Sequence, residues 1–251
     1  MKSYLLGIDI GTSACKVAVF DRNGKVLAAA SGDYPVYYPQ EGWAEQNPEE
    51  WWDAVCRASK ETIQKADIKP DEIAGIGIDG QSWSAIAIDK EGKVLTNTPI
   101  WMDTRAQSIC DRLNQEIGAE KIFDVAGNSL QPSYSTAKIL WYKENLPEVY
   151  AKIDKILQSN SYIAYKLTGV ISQDVSQGYG LHCFDMKKAC WDEEMCELLG
   201  IPMEFLPEIC DCDHVIGSVT AKAAAKCGLS EGTPVVAGGL DAACGTLGAG
   251  V

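Results

Sequence analysis

Residues 4–31 restrict the fold more than any other stretch. Apolar runs at 4–10, 15–20 and 25–31 follow one another with only tight turns between them. Three short strands so closely joined have little choice but an antiparallel meander. The turn Asp21-Arg22-Asn23-Gly24 connects the second and third. The first run carries an anomaly: Gly7-Ile8-Asp9-Ile10-Gly11-Thr12-Ser13 puts one carboxylate into an apolar strand and follows it with glycine and two hydroxyls. One reading is a strand ending in a turn, with Gly11 for backbone freedom. The other is a phosphate loop. Gly11 would let the backbone approach an anion, and the amides and hydroxyls of Thr12 and Ser13 would bond its oxygens. Asp9 would then face Mg²⁺, through water. Lys16 is either a further phosphate contact or part of a solvated strand face. The segment is not a Walker A loop, because GxxxxGK[ST] is absent.

Downstream, Asn47-Pro48-Glu49-Glu50 has the cap, proline and acids of a helix start. The helix is expected to run to about Lys65, with Trp52, Val55, Cys56, Ser59 and Ile63 at helical spacing. Strands at 73–79 and 84–89 follow, the second closed by the turn at 89–93, so the first hundred residues read βββαββ. Helices are expected at 105–117, 119–125, 135–145, 147–152, 159–167 and 192–199. A strand at 215–219, a helix at 220–227, a strand at 233–237 and a small-residue helix from Leu240 complete the pattern. The apolar, glycine-rich end Gly248-Ala249-Gly250-Val251 gives the expectation that the natural polypeptide continues.

The net charge of −13 argues against general nucleic-acid binding. No run of eighteen apolar residues offers a transmembrane helix. The N-terminus enters a strand without a signal-peptide pattern, which leads us to expect a cytoplasmic protein. Ten cysteines at irregular spacing are expected to be free thiols. Cys210-Asp211-Cys212-Asp213-His214 reads as loop thiols or as part of a zinc site, but no second Cys pair stands at ligand spacing.

Three further segments place polar groups at the ends of apolar runs. In Asp79-Gly80-Gln81-Ser82-Trp83-Ser84, the alternatives are a strand-to-strand turn and a sugar platform. In the platform, Gln81, Ser82 and Ser84 bond hydroxyls and Trp83 stacks on the sugar. In Ile100-Trp101-Met102-Asp103-Thr104-Arg105, Asp103 or Thr104 caps a helix, a duty compatible with ligand binding. In Val235-Val236-Ala237-Gly238-Gly239-Leu240-Asp241-Ala242-Ala243-Cys244-Gly245, Asp241 complements a helix dipole or acts as a general base in a cleft.

Taken in order, GIDIGTS with its following Lys16, WAEQNPEEWW (43–52), the strand ending in Gly80-Gln81, WxDxR and GGLDAACGTLGAGV resemble the N-terminal half of the FGGY carbohydrate kinases, xylulokinase-like members above all. The resemblance covers the whole chain. It implies an α/β, ribonuclease-H-like domain of the actin and hexokinase type, with a mixed sheet. Its core would be 1–100 and 213–251, interrupted by a helical insertion at about 101–212. It implies phosphoryl transfer from ATP to a primary hydroxyl of a ketose or polyol, D-xylulose above others. The alternatives are another pentulose, polyol or gluconate-type substrate, or a relative that binds sugar without transfer. Asp9 would serve Mg²⁺, Gly11, Thr12, Ser13 and Lys16 the phosphates, and Asp241 the acceptor hydroxyl as base. Gln81, Ser82, Trp83 and Asp103 would line the sugar site. The C-terminal nucleotide-binding domain would lie outside this chain, leaving it inactive alone, and a homodimer is open. The chain departs from the family at one turn. Xylulokinases show Gln-Met-His-Gly where Gln81-Ser82-Trp83-Ser84 stands, and the Arg-Glu pair of glycerol kinases is absent too.

Overall fold

A computed structural model describes residues 3–251. β1 (Tyr4–Ile10), β2 (Ala14–Phe20) and β3 (Val26–Asp33) form the antiparallel meander that the turns require. Alternation decides their faces. Leu6, Ile8, Ile10, Cys15, Val17 and Val19 are buried on one side, which puts Gly7, Asp9, Lys16 and Ala18 on the other. The two-residue β4 (Glu45–Gln46) precedes α1 (Pro48–Ala66), whose cap Asn47 accepts the Glu49 amide at 3.0 Å. α1 covers the apolar side of the meander with Trp51, Val55 and Ala58. β5 (Ile73–Gly80) then returns parallel to β1, with Asp9 opposite Asp79.

β6 (Ile86–Ile88) and β7 (Thr98–Pro99) lead into the helical middle: α2 (Gln107–Leu113), α3 (Ala119–Ala126), α4 (Ser135–Asn145) and α5 (Pro147–Tyr150). β8 (Lys155–Leu157), α6 (Ser159–Thr168), β9 (Gln173–Asp174), α7 (Val175–Gly178), β10 (Phe184–Asp185), β11 (Cys190–Trp191), α8 (Glu193–Leu199) and β12 (Ile209–Cys210) follow. β13 (Val215–Ser218), α9 (Ala221–Cys227), β14 (Pro234–Val236), β15 (Gly239–Leu240) and α10 (Asp241–Gly248) end the described chain. The main sheet runs β13-β14-β5-β1-β2-β3, with β15 also on β5. It mixes an antiparallel meander with parallel additions, as the resemblance implies.

Two apolar clusters result. One joins the sheet to α1, α6 and α9. The other holds the helical middle together through Ile109, Leu113, Ile139, Leu140 and Leu199. Although α6 lies inside the helical stretch of the sequence, its Tyr162, Ile163 and Leu167 pack with the sheet.

Several local expectations change. The helix expected at 105–117 is α2 followed by a wider π turn at Asn114–Gly118, stopped where Gly118 adopts φ 97°. The helix expected at 147–152 ends at Tyr150. The strand expected at 84–89 shortens to β6 and pairs with β8, which lay unforeseen between two helices. β4 and β7 pair across more than fifty residues, a partnership that no local pattern encodes.

Candidate active site

The parallel pairing brings three acids together. Asp9 and Asp79 are opposite one another on β1 and β5, and Gly239 of β15 is opposite Asp79. Asp241 begins α10 two residues later. Gly238 makes the step from β14 to β15: its φ is 78°, and a Cβ there would lie 1.8 Å from the Ile78 carbonyl oxygen. The amide of Leu240 is held by the Ser176 hydroxyl at 2.8 Å. That hydroxyl itself donates to the buried Asp174 at 2.6 Å. The start of α10 is therefore fixed from below.

Burial pushes the Asp79 carboxyl up from its ordinary 3.8 to about 7, helped by the charge of Asp9, a hydrogen bond shared with Asp9 and the charge of Asp241. Burial likewise raises Asp241, with Asp9 adding to the effect and the Ala242 amide opposing it. Lys16 extends to Asp9, with Nζ 3.1 Å from Oδ2. Asp9 and Asp79 line a cavity of about 640 Å³ on the open face of the sheet, together with Gly7, Ala18 and Gly77 and with Cys244 and Leu247 of α10.

A pH prediction follows from Asp79. Its folded pKa is raised, so the native state holds the proton more tightly than the unfolded chain does. Its contribution to stability is then complete below pH 3.8 and is lost as pH rises through about 7. Asp79→Asn keeps a neutral polar group there. We expect melting temperatures that match wild type near pH 4 and exceed it increasingly up to pH 7–8. Parallel pH profiles would count against the buried acid.

The loop after β1 is tightly braced. The Gly11 amide donates to Ala14 O at 3.1 Å, and the Tyr34 hydroxyl donates to Gly11 O at 2.6 Å. A Cβ on Gly11 would lie 3.0 Å from Ala14 O, closer than the turn admits without a shift. Gln46 Nε2 donates to Thr12 O at 2.8 Å, while Gln46 Oε1 accepts from Gln81 Nε2 at 2.8 Å. Trp101 Nε1 donates to the Thr12 hydroxyl at 3.0 Å. Thr12 is thus tied both to the turn after β5 and to the segment before α2, while Ser13 stands exposed at the tip.

The expected sugar residues separate into two groups. Gln81 is buried behind the wall: its amide nitrogen is engaged by Gln46, and its Oε1 has no protein partner. Asp103 is wholly buried. It accepts from the Ala44 amide at 2.7 Å and from Arg105 Nε at 2.9 Å, and Arg105 goes on to Glu45 at 2.8 Å. The guanidinium lies 3.8 Å from the Trp43 ring centre. Asp103 is thus held by protein groups; the exposed residues of its segment are Trp101 and Thr104. Ser82 and Trp83 are half-buried. Trp83 adopts φ 58° and stacks on Tyr134, ring centres 4.0 Å apart, with Tyr179 edge-on at 5.7 Å. One indole face is thus already covered, while Trp83 Nε1 has no protein partner.

Trp101, Tyr134 and Tyr179 were not singled out from sequence. Trp101 sat in a quoted motif beside a more conspicuous acid, and Tyr134 carried no local signal. His182 packs edge-on to Tyr134 at 5.0 Å, and burial lowers its pKa to about 4, so it is neutral. Cys210 and Cys212 turn toward Gln173 O and Asp174. Among the described residues, no three His, Cys, Asp or Glu side chains form a metal-holding group.

Residues 4–248 match the family described as FGGY family of carbohydrate kinases, N-terminal domain. Xylulose kinase of Bacillus subtilis (strain 168) is 34% identical over 248 residues, 99% of this chain and 50% of the relative. Glycerol kinase of Thermococcus gammatolerans is 33% identical over 221 residues, 86% of this chain and 45% of the relative. The crystal structure of gluconate kinase from Lactobacillus acidophilus superposes with a TM-score of 0.88 at 32% identity, covering 95% of this chain and 48% of that one. The chain spans about half the length of the curated relatives it matches.

Proposed function

The chain belongs to the FGGY family of carbohydrate kinases, and from that premise we propose that it supplies the sugar-binding half of an ATP-dependent kinase. The reaction is transfer of the γ-phosphoryl group to a primary hydroxyl of a ketose, with D-xylulose giving xylulose 5-phosphate. The observation that carries this reading is the convergence of Asp9, Asp79 and Asp241 at the ends of three parallel strands, beside a glycine-hydroxyl loop.

The donor set suits MgATP. Carboxylate oxygens are hard ligands of the kind Mg²⁺ takes, one or two at a time beside water and phosphate. Asp9 would hold the ion, while Gly11, Thr12, Ser13 and Lys16 would meet the phosphates. When bound, the ion neutralises phosphate charge. This chain's own part is to place the acceptor. Asp241 takes the proton of the attacking hydroxyl, and its raised pKa keeps it basic enough to do so near neutral pH. Trp101, Trp83 and Tyr134 offer an aromatic wall on which the carbon face of a sugar rests.

A second substrate reading has a specific basis. Trp83 stands where the resemblance expects the histidine of a ketose site, so the acceptor pocket is built differently here. Another pentulose, a polyol or an aldonate fits the same chemistry. We test both readings by measuring ADP formation from the polypeptide as its gene encodes it, against pentuloses, hexuloses, polyols and gluconate. D-Xylulose is expected to have the highest kcat/KM. A tenfold preference for glycerol or gluconate would replace it as the substrate.

A further inference from the structure

Lys138 is fully buried in α4, between the polar first turn, Ser135 and Thr136, and the apolar Ile139 and Leu140. Its ammonium donates to three backbone carbonyls: Ser133 at 2.6 Å, Trp83 at 2.7 Å and Ile100 at 2.9 Å. These acceptors come from three separate segments. Trp83 is the left-handed residue of the turn after β5. Ile100 immediately precedes Trp101, and Ser133 immediately precedes Tyr134. One nitrogen therefore ties together the backbone at or beside Trp83, Trp101 and Tyr134.

The chemistry of the group matches the task. Three acceptors use the three hydrogens of an ammonium, whereas a neutral amine donates only two. Burial lowers the pKa to about 7, and the nearby charge of Asp103 works against that. A compact, tetrahedral donor reaches carbonyls in three directions, which the flat fork of arginine does not. The neighbouring buried group, Asp103 with Arg105 and Glu45, braces the same segment from the other side.

We propose that Lys138 is a positioning residue for the acceptor pocket: by pinning the carbonyls of Trp83, Ile100 and Ser133 it holds Trp83, Trp101 and Tyr134 in register, and so sets acceptor affinity without touching the acceptor. This rests on the kinase reading above. A displacement of about an ångström in such a wall is enough to cost up to about a hundredfold.

The test is Lys138→Met in the polypeptide as its gene encodes it. Acceptor KM is expected to rise about ten- to a hundredfold, with kcat within about threefold and the KM for ATP unchanged. The near-ultraviolet circular dichroism of the Trp83–Tyr134 stack is expected to collapse while the far-ultraviolet spectrum is retained. An unchanged acceptor KM in a folded variant overturns the proposal, as does an equal fall in kcat and kcat/KM. If Lys138→Met does not fold, Lys138→Arg, which keeps the charge and loses the geometry, carries the test. It is expected to raise acceptor KM at least several-fold, and a wild-type value overturns the proposal. If wild type shows no acceptor-stimulated ADP formation at all, the kinase reading has failed. The spectra then decide the positioning role alone: a retained stack signal in Lys138→Met, or in Lys138→Arg, rejects it.

Discussion

Replacing Asp241 by Asn is expected to lower kcat for sugar phosphorylation by about 10²–10⁴-fold and to leave the acceptor KM within about twofold. Asparagine has nearly the same shape and can still accept the Ala242 amide at the start of α10, so the helix is preserved. What it loses is the ability to take a proton. The acceptor hydroxyl then has only solvent to take its proton as it attacks the γ-phosphoryl group, which moves the loss into kcat. Steady-state kinetics with saturating ATP read this directly. Because burial and Asp9 both raise the pKa of Asp241, wild-type kcat should fall as pH drops through that raised value, and the variant should show a flatter profile. A variant that keeps wild-type turnover removes Asp241 from the role of base.

Arg105→Met is expected to cost about 3–5 kcal/mol of folding stability, because it leaves a buried carboxylate without its counter-charge. The guanidinium is 3% exposed and Asp103 is 0% exposed, so neither can turn to water without opening the structure. It also lies against Trp43 and Trp141, and methionine recovers part of that packing but none of the charge. Adding Asp103→Asn to Arg105→Met should restore part of the loss, since the orphaned charge disappears with its partner. Urea denaturation of the three proteins measures both effects. A loss under 1 kcal/mol for Arg105→Met would mean that Asp103 is not held as described, and would return it to the pool of sugar ligands.

These two residues show how far residue patterns carry. Asp241 stands out in the sequence because an acid after Gly238-Gly239, at the end of a β-rich apolar run, has few structural duties. Asp9 stands out because alternation in β1 turns it away from the core, which is where the structure places it. The meander, α1 and the return of β5 follow from hydrophobic period and turn chemistry, which act over a few residues. Asp103 and Gln81 looked equally functional, being polar groups next to apolar strands. In the fold, Asp103 and the Gln81 amide nitrogen are engaged by protein groups. Ala44 is 59 residues from Asp103 and Gln46 is 35 residues from Gln81, and nothing in a local pattern announces either meeting. The raised pKa of Asp79 was hidden for a related reason. It depends on the register of β1 against β5, which sets Asp9 beside it. Lys138 was hidden as well. A lysine beside the apolar Ile139-Leu140-Trp141 run carries no sign that it is buried, and three carbonyls from three segments are visible only in the fold.

The most direct test of the whole account is ADP formation by the polypeptide as its gene encodes it, measured with MgATP alone and with a pentulose added. The account predicts negligible turnover with MgATP alone and a rise of at least a hundredfold with the right acceptor, abolished by Asp241→Asn. ATP turnover that is equally fast without any sugar, or that survives the loss of Asp241, would contradict it.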